Sequence, residues 1–135
     1  MNNFIFENST KVFFGKGCVK EYLSCWAGKF GERVLLAYGG CSIKKNGIYE
    51  EVTSILEKAG KTVIEFSGIM ANPTYEKVLE GAKIARENEV DWILGIGGGS
   101  VMDCCKAVSL AAISKKDIWK EYWAKPGIID FEPLP

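Results

Sequence analysis

Residues 91–108 read DWILGIGGGSVMDCCKAV. An apolar run, Val90–Gly95, passes through glycines into a stretch, Ser100–Ile113, whose apolar residues recur at helical spacing. A short continuous apolar run bounded by glycine is the pattern of a strand buried on both faces. The glycines then mark a tight strand-to-helix turn. Glycine there allows positive φ and removes the β-carbon that would block a close approach. A helix start adds unpaired N–H groups and a partial positive charge, so Gly97, Gly98, Gly99 and Ser100 form a candidate phosphate or pyrophosphate site. Ser100 can cap the helix, with Asp103 three residues on completing a capping box. The other reading is a tight turn with glycines for packing, Asp103 and Lys106 being an i,i+3 ion pair. The pattern is neither a P-loop, since Lys106 does not follow the last glycine, nor G-x-G-x-x-G, since position 100 is serine.

Working outward, the same alternation repeats. Arg33–Tyr38 (RVLLAY) is nearly all apolar and ends in Gly39-Gly40. Lys44–Ala59 places Ile48, Val52, Ile55, Leu56 and Ala59 on one helical face, with Gly60 as a stop. Lys61–Phe66 reads as the next strand. Asn72-Pro73-Thr74 then opens a helix, with Pro73 in its first turn and Tyr75, Val78, Leu79, Ala82 and Ala85 as its buried stripe. Before all this, Asn3–Phe6 and Lys11–Phe14 suggest a β-hairpin turning at Glu7–Thr10. Cys18–Lys29 suggests a helix in which Val19, Tyr22, Leu23 and Trp26 recur at helical spacing. The fold class is therefore α/β: a Rossmann-like parallel sheet flanked by helices, with an N-terminal hairpin. Ligands of such sheets sit at the carboxyl ends of strands, where the strand order switches. Both glycine clusters lie at such ends.

The 135 residues suffice for one core, and 47% hydrophobic with 25% charged residues is ordinary globular composition. Seventeen basic and seventeen acidic residues cancel, which gives no reason to expect nucleic acid as a partner. No apolar run approaches a membrane span, and Met1-Asn2-Asn3-Phe4 lacks the charged and apolar regions of a signal peptide, so no membrane partner and a cytoplasmic location are expected. The five cysteines, Cys18, Cys25, Cys41, Cys104 and Cys105, show no ligand spacing and are expected to be reduced and packed as small apolar residues. There is no histidine, which excludes the Ser/His/Asp and Cys/His nucleophile arrangements within these residues. The tail combines DIWKEYW (117–123) with Pro126-Gly127, Pro133 and Pro135, the composition of an extended crossing segment.

Several segments together resemble one family. GIGGGSVMDCCKAV (95–108) is similar to the GGGS-x-x-D-x-x-K-A segment of the iron-containing (group III) alcohol dehydrogenases. NPTYEKVLEGAKIARENEVDWILGIGGGS (72–100) resembles their N-P-T helix, and FGKGCVKEY (14–22) their F-G-x-G segment. LLAYGGCSIKKNGIYEEV (35–52) is similar to their NADPH-dependent butanol dehydrogenase subgroup. The resemblance implies a two-domain enzyme transferring hydride between a nicotinamide and a primary alcohol or aldehyde. Residues 1–115 would be its dinucleotide-binding domain, and 116–135 the start of a linker. The family's all-helical domain, with an aspartate and three histidines as ligands for iron or another divalent metal, would lie beyond this chain. The chain alone would then be inactive.

By the same resemblance Gly98, Gly99 and Ser100 would hold the pyrophosphate, Asn72 would line the cleft, and Asp103 matches the motif aspartate. Gly39, Gly40 and Ser42 stand where relatives using NAD carry an acidic residue that would repel a 2′-phosphate. NADP(H) is accordingly expected over NAD(H), with Lys44 or Lys45 either adding positive charge or forming a solvated helix start. A homodimer is expected. Two other readings stay open: a free-standing nucleotide-binding module without catalysis, and a relative among glycerol or sugar-phosphate dehydrogenases or dehydroquinate synthase.

Overall fold

The computed structural model describes residues 10–124 and 128–135. Its centre is a three-stranded parallel sheet of order β2-β1-β3, made of β1 (Arg33–Tyr38), β2 (Thr62–Phe66) and β3 (Trp92–Ile96). Val34 pairs with Val63 on one side and Trp92 on the other; near the carboxyl ends Tyr38 faces Ile96. Every β1 residue from Val34 to Tyr38 is buried, as a central strand covered on both faces requires. On one face α4 (Tyr75–Glu87) and α5 (Gly99–Ile113) close over Leu35, Ala37 and Phe66, and on the other α1 (Cys18–Ala27), α2 (Ser42–Lys45) and α3 (Ile48–Lys58) accompany Val34, Leu36 and Tyr38. Full burial of each such Val or Leu contributes about 1.5–3 kcal/mol.

Several sequence expectations are corrected in detail. The single helix expected over Lys44–Ala59 is two, because Gly47 at φ 78 turns the backbone left-handed between α2 and α3. Pro73 does not occupy the first turn of α4. Thr74 is the N-cap, its hydroxyl accepting from the Lys77 N–H at 3.3 Å, so Pro73 stands just outside the helix. Leu79, expected in the buried stripe of α4, is exposed, and so is Val19 of α1. Cys104 is buried, but Cys25 and Cys41 are exposed rather than packed, and all five thiols are free. Burial pushes the Cys105 thiol up to about 11, which keeps it protonated at neutral pH. Lys11–Phe14 is not part of a strand; its expected hairpin partner Asn3–Phe6 lies outside the described residues, as does the Pro126-Gly127 break.

The tail packs onto the domain. Ile118 is buried in the α4–α5 core, and residues Trp119–Trp123 form a π-helical turn whose two indoles meet the Tyr75 ring, Trp119 tilted and Trp123 edge-on. The chain then reaches the outer edge of β3, where the Ile93 N–H donates to the Pro135 carbonyl at 2.8 Å. Among the described residues no helix is long and apolar enough to cross a membrane.

Candidate functional site

In chain order β2 is added on one side of β1 and β3 on the other, so the strand order switches between β1 and β3. That crevice is where an open α/β sheet takes its ligand. Because Tyr38 is level with Ile96, the residues that follow, Gly39-Gly40 and Gly97-Gly98-Gly99, leave the sheet side by side. The two glycine clusters, far apart in sequence, thus share one end of the fold.

The glycines in them serve different purposes. A β-carbon on Gly97 would lie 2.5 Å from Val101 Cγ2, and one on Gly39 would lie 3.1 Å from the Ile69 carbonyl oxygen. These two are small because protein atoms press on them. A β-carbon on Gly40, Gly98 or Gly99 would meet nothing within 4 Å. Glycine at those positions leaves surface free for something other than the protein. Positive φ, the other reason expected for glycine in this turn, does not apply: none of Gly97, Gly98 and Gly99 is in the left-handed region, and Gly98 is extended at φ −84, ψ −167.

Helix α5 starts one residue earlier than its sequence suggests, with Gly98 as N-cap and no side-chain cap. The capping box of Ser100 and Asp103 is therefore absent. Glycine has no side chain to cap with, Ser100 lies inside the first turn, and the Asp103 carboxylate faces Lys106 at 3.4 Å on an exposed helix flank. The Gly98 carbonyl takes the N–H groups of Val101 and Met102. Those of Gly99 and Ser100 have no partner one turn back, as at any helix start. The Ser100 hydroxyl instead accepts from the Asn72 backbone N–H at 3.4 Å. Asn72 sits at φ 52, a region that asparagine tolerates better than other non-glycine residues. This turn lays the Asn72-Pro73-Thr74 segment against the mouth of α5.

Gly39, Gly40, Ser42, Asn72, Gly97, Gly98, Gly99 and Ser100 are thus brought to one end of the sheet, while Asp103 is turned along the helix flank. Open glycine surface, paired N–H donors and a helix N-terminus fit a pyrophosphate. No group of three or more His, Cys, Asp or Glu able to hold a metal comes together among the described residues. A concavity of about 600 Å³ between α1 and the β3 segment Leu94–Gly97 is apolar and lined by Phe13, Tyr22 and Trp26. It offers no convergent polar donors, so the glycine turn is the better candidate.

One constellation escaped the sequence reading. Glu65, the fourth residue of β2, is level with Leu36 and shares its α3-side face. Its carboxylate accepts from the hydroxyls of Tyr38 and Tyr49 and lies 3.4 Å from Lys44 Nζ. The two tyrosines hold its pKa below the ordinary 4.5, while the same hydrogen bond, helped by burial, pushes Tyr49 up to about 12. Lys44 also stands over the Tyr49 ring at 4.4 Å. The available signal was a lone carboxylate in the apolar run TVIEF.

With this geometry in view, the comparisons agree. A family model described as iron-containing alcohol dehydrogenase matches residues 9–134. A probable NADH-dependent butanol dehydrogenase 2 of Bacillus subtilis is 44% identical over 134 residues, covering 99% of this chain and 34% of its own length. The NADPH-dependent aldehyde reductase YqhD of Escherichia coli is 41% identical over 115 residues, covering 83% of this chain and 28% of its own. The crystal structure of NADH-dependent butanol dehydrogenase A from Thermotoga maritima superposes with a TM-score of 0.86 at 40% identity, over 100% of this chain and 33% of that one. The chain therefore spans about a third of the length of these relatives. The glycine turn, the strand order and these likenesses converge: the chain belongs to the iron-containing alcohol dehydrogenase family.

Proposed function

We propose that this chain holds the pyrophosphate and adenosine of a nicotinamide dinucleotide, in a protein that transfers hydride between that cofactor and a primary alcohol or aldehyde. The observation that carries the reading is the open surface at Gly98 and Gly99 on the mouth of α5, at the strand-order switch. Gly98, Gly99 and Ser100 would present N–H groups to the pyrophosphate; Gly97 supports the turn by close packing against Val101. Asn72 fixes the Ser100 hydroxyl and lines the same edge. Asp103 is assigned to the helix flank, where it steadies α5 with Lys106. The nicotinamide supplies the hydride chemistry. These residues bind and orient, and turnover by the 135 residues alone is not expected. In this reading residues 1–115 are the dinucleotide unit, and 116–135 the segment leading out along it toward a metal-carrying helical domain. A homodimer and a cytoplasmic location belong to the same reading.

Gly39, Gly40 and Ser42 leave room and one hydroxyl for a 2′-phosphate, and on that ground NADP(H) is the expected cofactor. One observation favours NAD(H) instead: Lys44, one of the two lysines expected to add positive charge, is committed to Glu65. Calorimetric titration of the chain with NADP(H) and NAD(H), using Gly98→Val as control, tests both points. Saturable binding lost in the variant supports the site, and equal binding by the variant refutes it. Tighter NAD(H) binding would overturn the NADP(H) assignment alone.

A further inference from the structure

The Glu65 constellation does more than tie β2 to its neighbours. Tyr38 immediately precedes Gly39-Gly40, and Lys44 follows Ser42 by two residues, so both flank the strand end proposed for the adenosine ribose. Lys44 does not reach toward that end. Its ammonium lies beside the Glu65 carboxylate, level with Leu36 and back along the sheet, over the rings of Tyr49 at 4.4 Å and Tyr38 at 5.5 Å. The lysine and the glutamate cancel in charge. The two tyrosine hydroxyls fix the carboxylate, so the lysine is the mobile member of the group: a charge on a flexible four-carbon stem, 44% exposed.

We propose that Glu65 is a positioning residue for cofactor choice: by holding Lys44 on the flank of the sheet it withholds that charge from a 2′-phosphate at Gly39-Gly40, weakening selection of NADP(H) against NAD(H). The proposal rests on the dinucleotide reading above. Without Glu65 the lysine swings free to the strand end, and its charge is no longer cancelled. NAD(H) has no charge at that position and is indifferent to both effects.

The test is calorimetric titration of the chain and three variants with NADP+ and NAD+. Glu65→Gln keeps the side-chain size and an acceptor for one tyrosine. It should tighten NADP+ binding about fivefold at low salt, the scale of a partly exposed ion pair, and leave NAD+ within about twofold. Lys44→Met in the parent chain should leave NAD+ within about twofold and weaken NADP+ by no more than about threefold, because the lysine's charge is already withheld and the carboxylate it uncovers lies back along the sheet. Glu65→Gln/Lys44→Met should lose the gain, and raising salt to about 0.5 M should erase it in the single variant. Circular dichroism confirms that each variant is folded, and Lys44→Met tests the idea without disturbing the tyrosine–carboxylate bonds. An unchanged NADP+ to NAD+ ratio in Glu65→Gln, a gain that survives loss of Lys44, or a large NADP+ loss in Lys44→Met alone overturns the proposal. Failure of the parent chain to bind either dinucleotide overturns the underlying reading as well.

Discussion

Replacing Gly99 by alanine should push stability and binding in opposite directions. Gly99 is the first residue of α5, and a β-carbon there would meet nothing within 4 Å. The fold therefore gains what alanine gives a helical position, fewer unfolded conformers and better helix propensity. That is about 0.5–1 kcal/mol, or a rise in Tm of about 2–5 °C for a domain of this size. Binding loses, because the methyl group stands where a phosphate oxygen must approach the N–H groups of Gly99 and Ser100. One charge-assisted hydrogen bond is worth about 1.5–3 kcal/mol, so Kd should rise about 10- to 100-fold. The assay pairs a thermal melt of the free chain with calorimetric titration of NADP+. Gly97→Ala is the contrast: its β-carbon would lie 2.5 Å from the stiff, β-branched Val101, so it should destabilise by about 1–3 kcal/mol. Unaltered NADP+ affinity in a stabilised Gly99→Ala would show that the open glycine surface holds no phosphate. A destabilised Gly99→Ala would show that protein occupies that space.

Three other outcomes follow from the packing and hydrogen bonds. Gly81→Ala gains up to about 1 kcal/mol in helix propensity but places a methyl 2.8 Å from the Phe66 ring and Val108; overpacking of about 1–3 kcal/mol should win, read as a lower urea midpoint. Thr74→Ala removes the acceptor for the Lys77 N–H and should cost about 1 kcal/mol in the same denaturation experiment. Tyr49 should titrate at about 12 by ultraviolet absorbance, well above the ordinary 10.0. A tyrosine whose folded pKa is raised contributes stability that is complete below pH 10 and fades as pH climbs through 12, whereas Glu65, whose folded pKa is lowered, contributes above pH 4.5 and loses its share on acidification. Glu65→Gln should bring the Tyr49 midpoint down, and an unmoved midpoint would mean that the Glu65 bond does not control it.

What was legible beforehand follows from what each feature depends on. Burial of β1 on both faces is written in RVLLAY, because a central parallel strand needs apolar residues at every position rather than alternately. The glycine turn was legible as a place but not in its mechanics. Sequence cannot tell a glycine pressed by Val101 from one facing open space, since both are the same letter; only the β-carbon positions separate Gly97 from Gly98 and Gly99. The capping box failed for a related reason. Ser100 and Asp103 have the right spacing, but the helix start is set by the backbone at Gly98, and tertiary contact with Asn72 takes the serine hydroxyl. Lys44 looked available to a phosphate because its partner lies 21 residues away, on strand β2. Pairing at that range depends on the register of β2 against β1, which composition and periodicity do not state.

The central claim is that the Gly98–Ser100 turn grips the pyrophosphate. It is tested most directly by following the backbone amides of the isotopically labelled chain by NMR while adding NADP+. The account predicts saturable shifts largest at Gly98, Gly99 and Ser100, with a second group at Gly39 and Gly40. Saturable shifts confined to the apolar groove around Phe13, Tyr22 and Trp26, with the glycine amides unmoved, would contradict it.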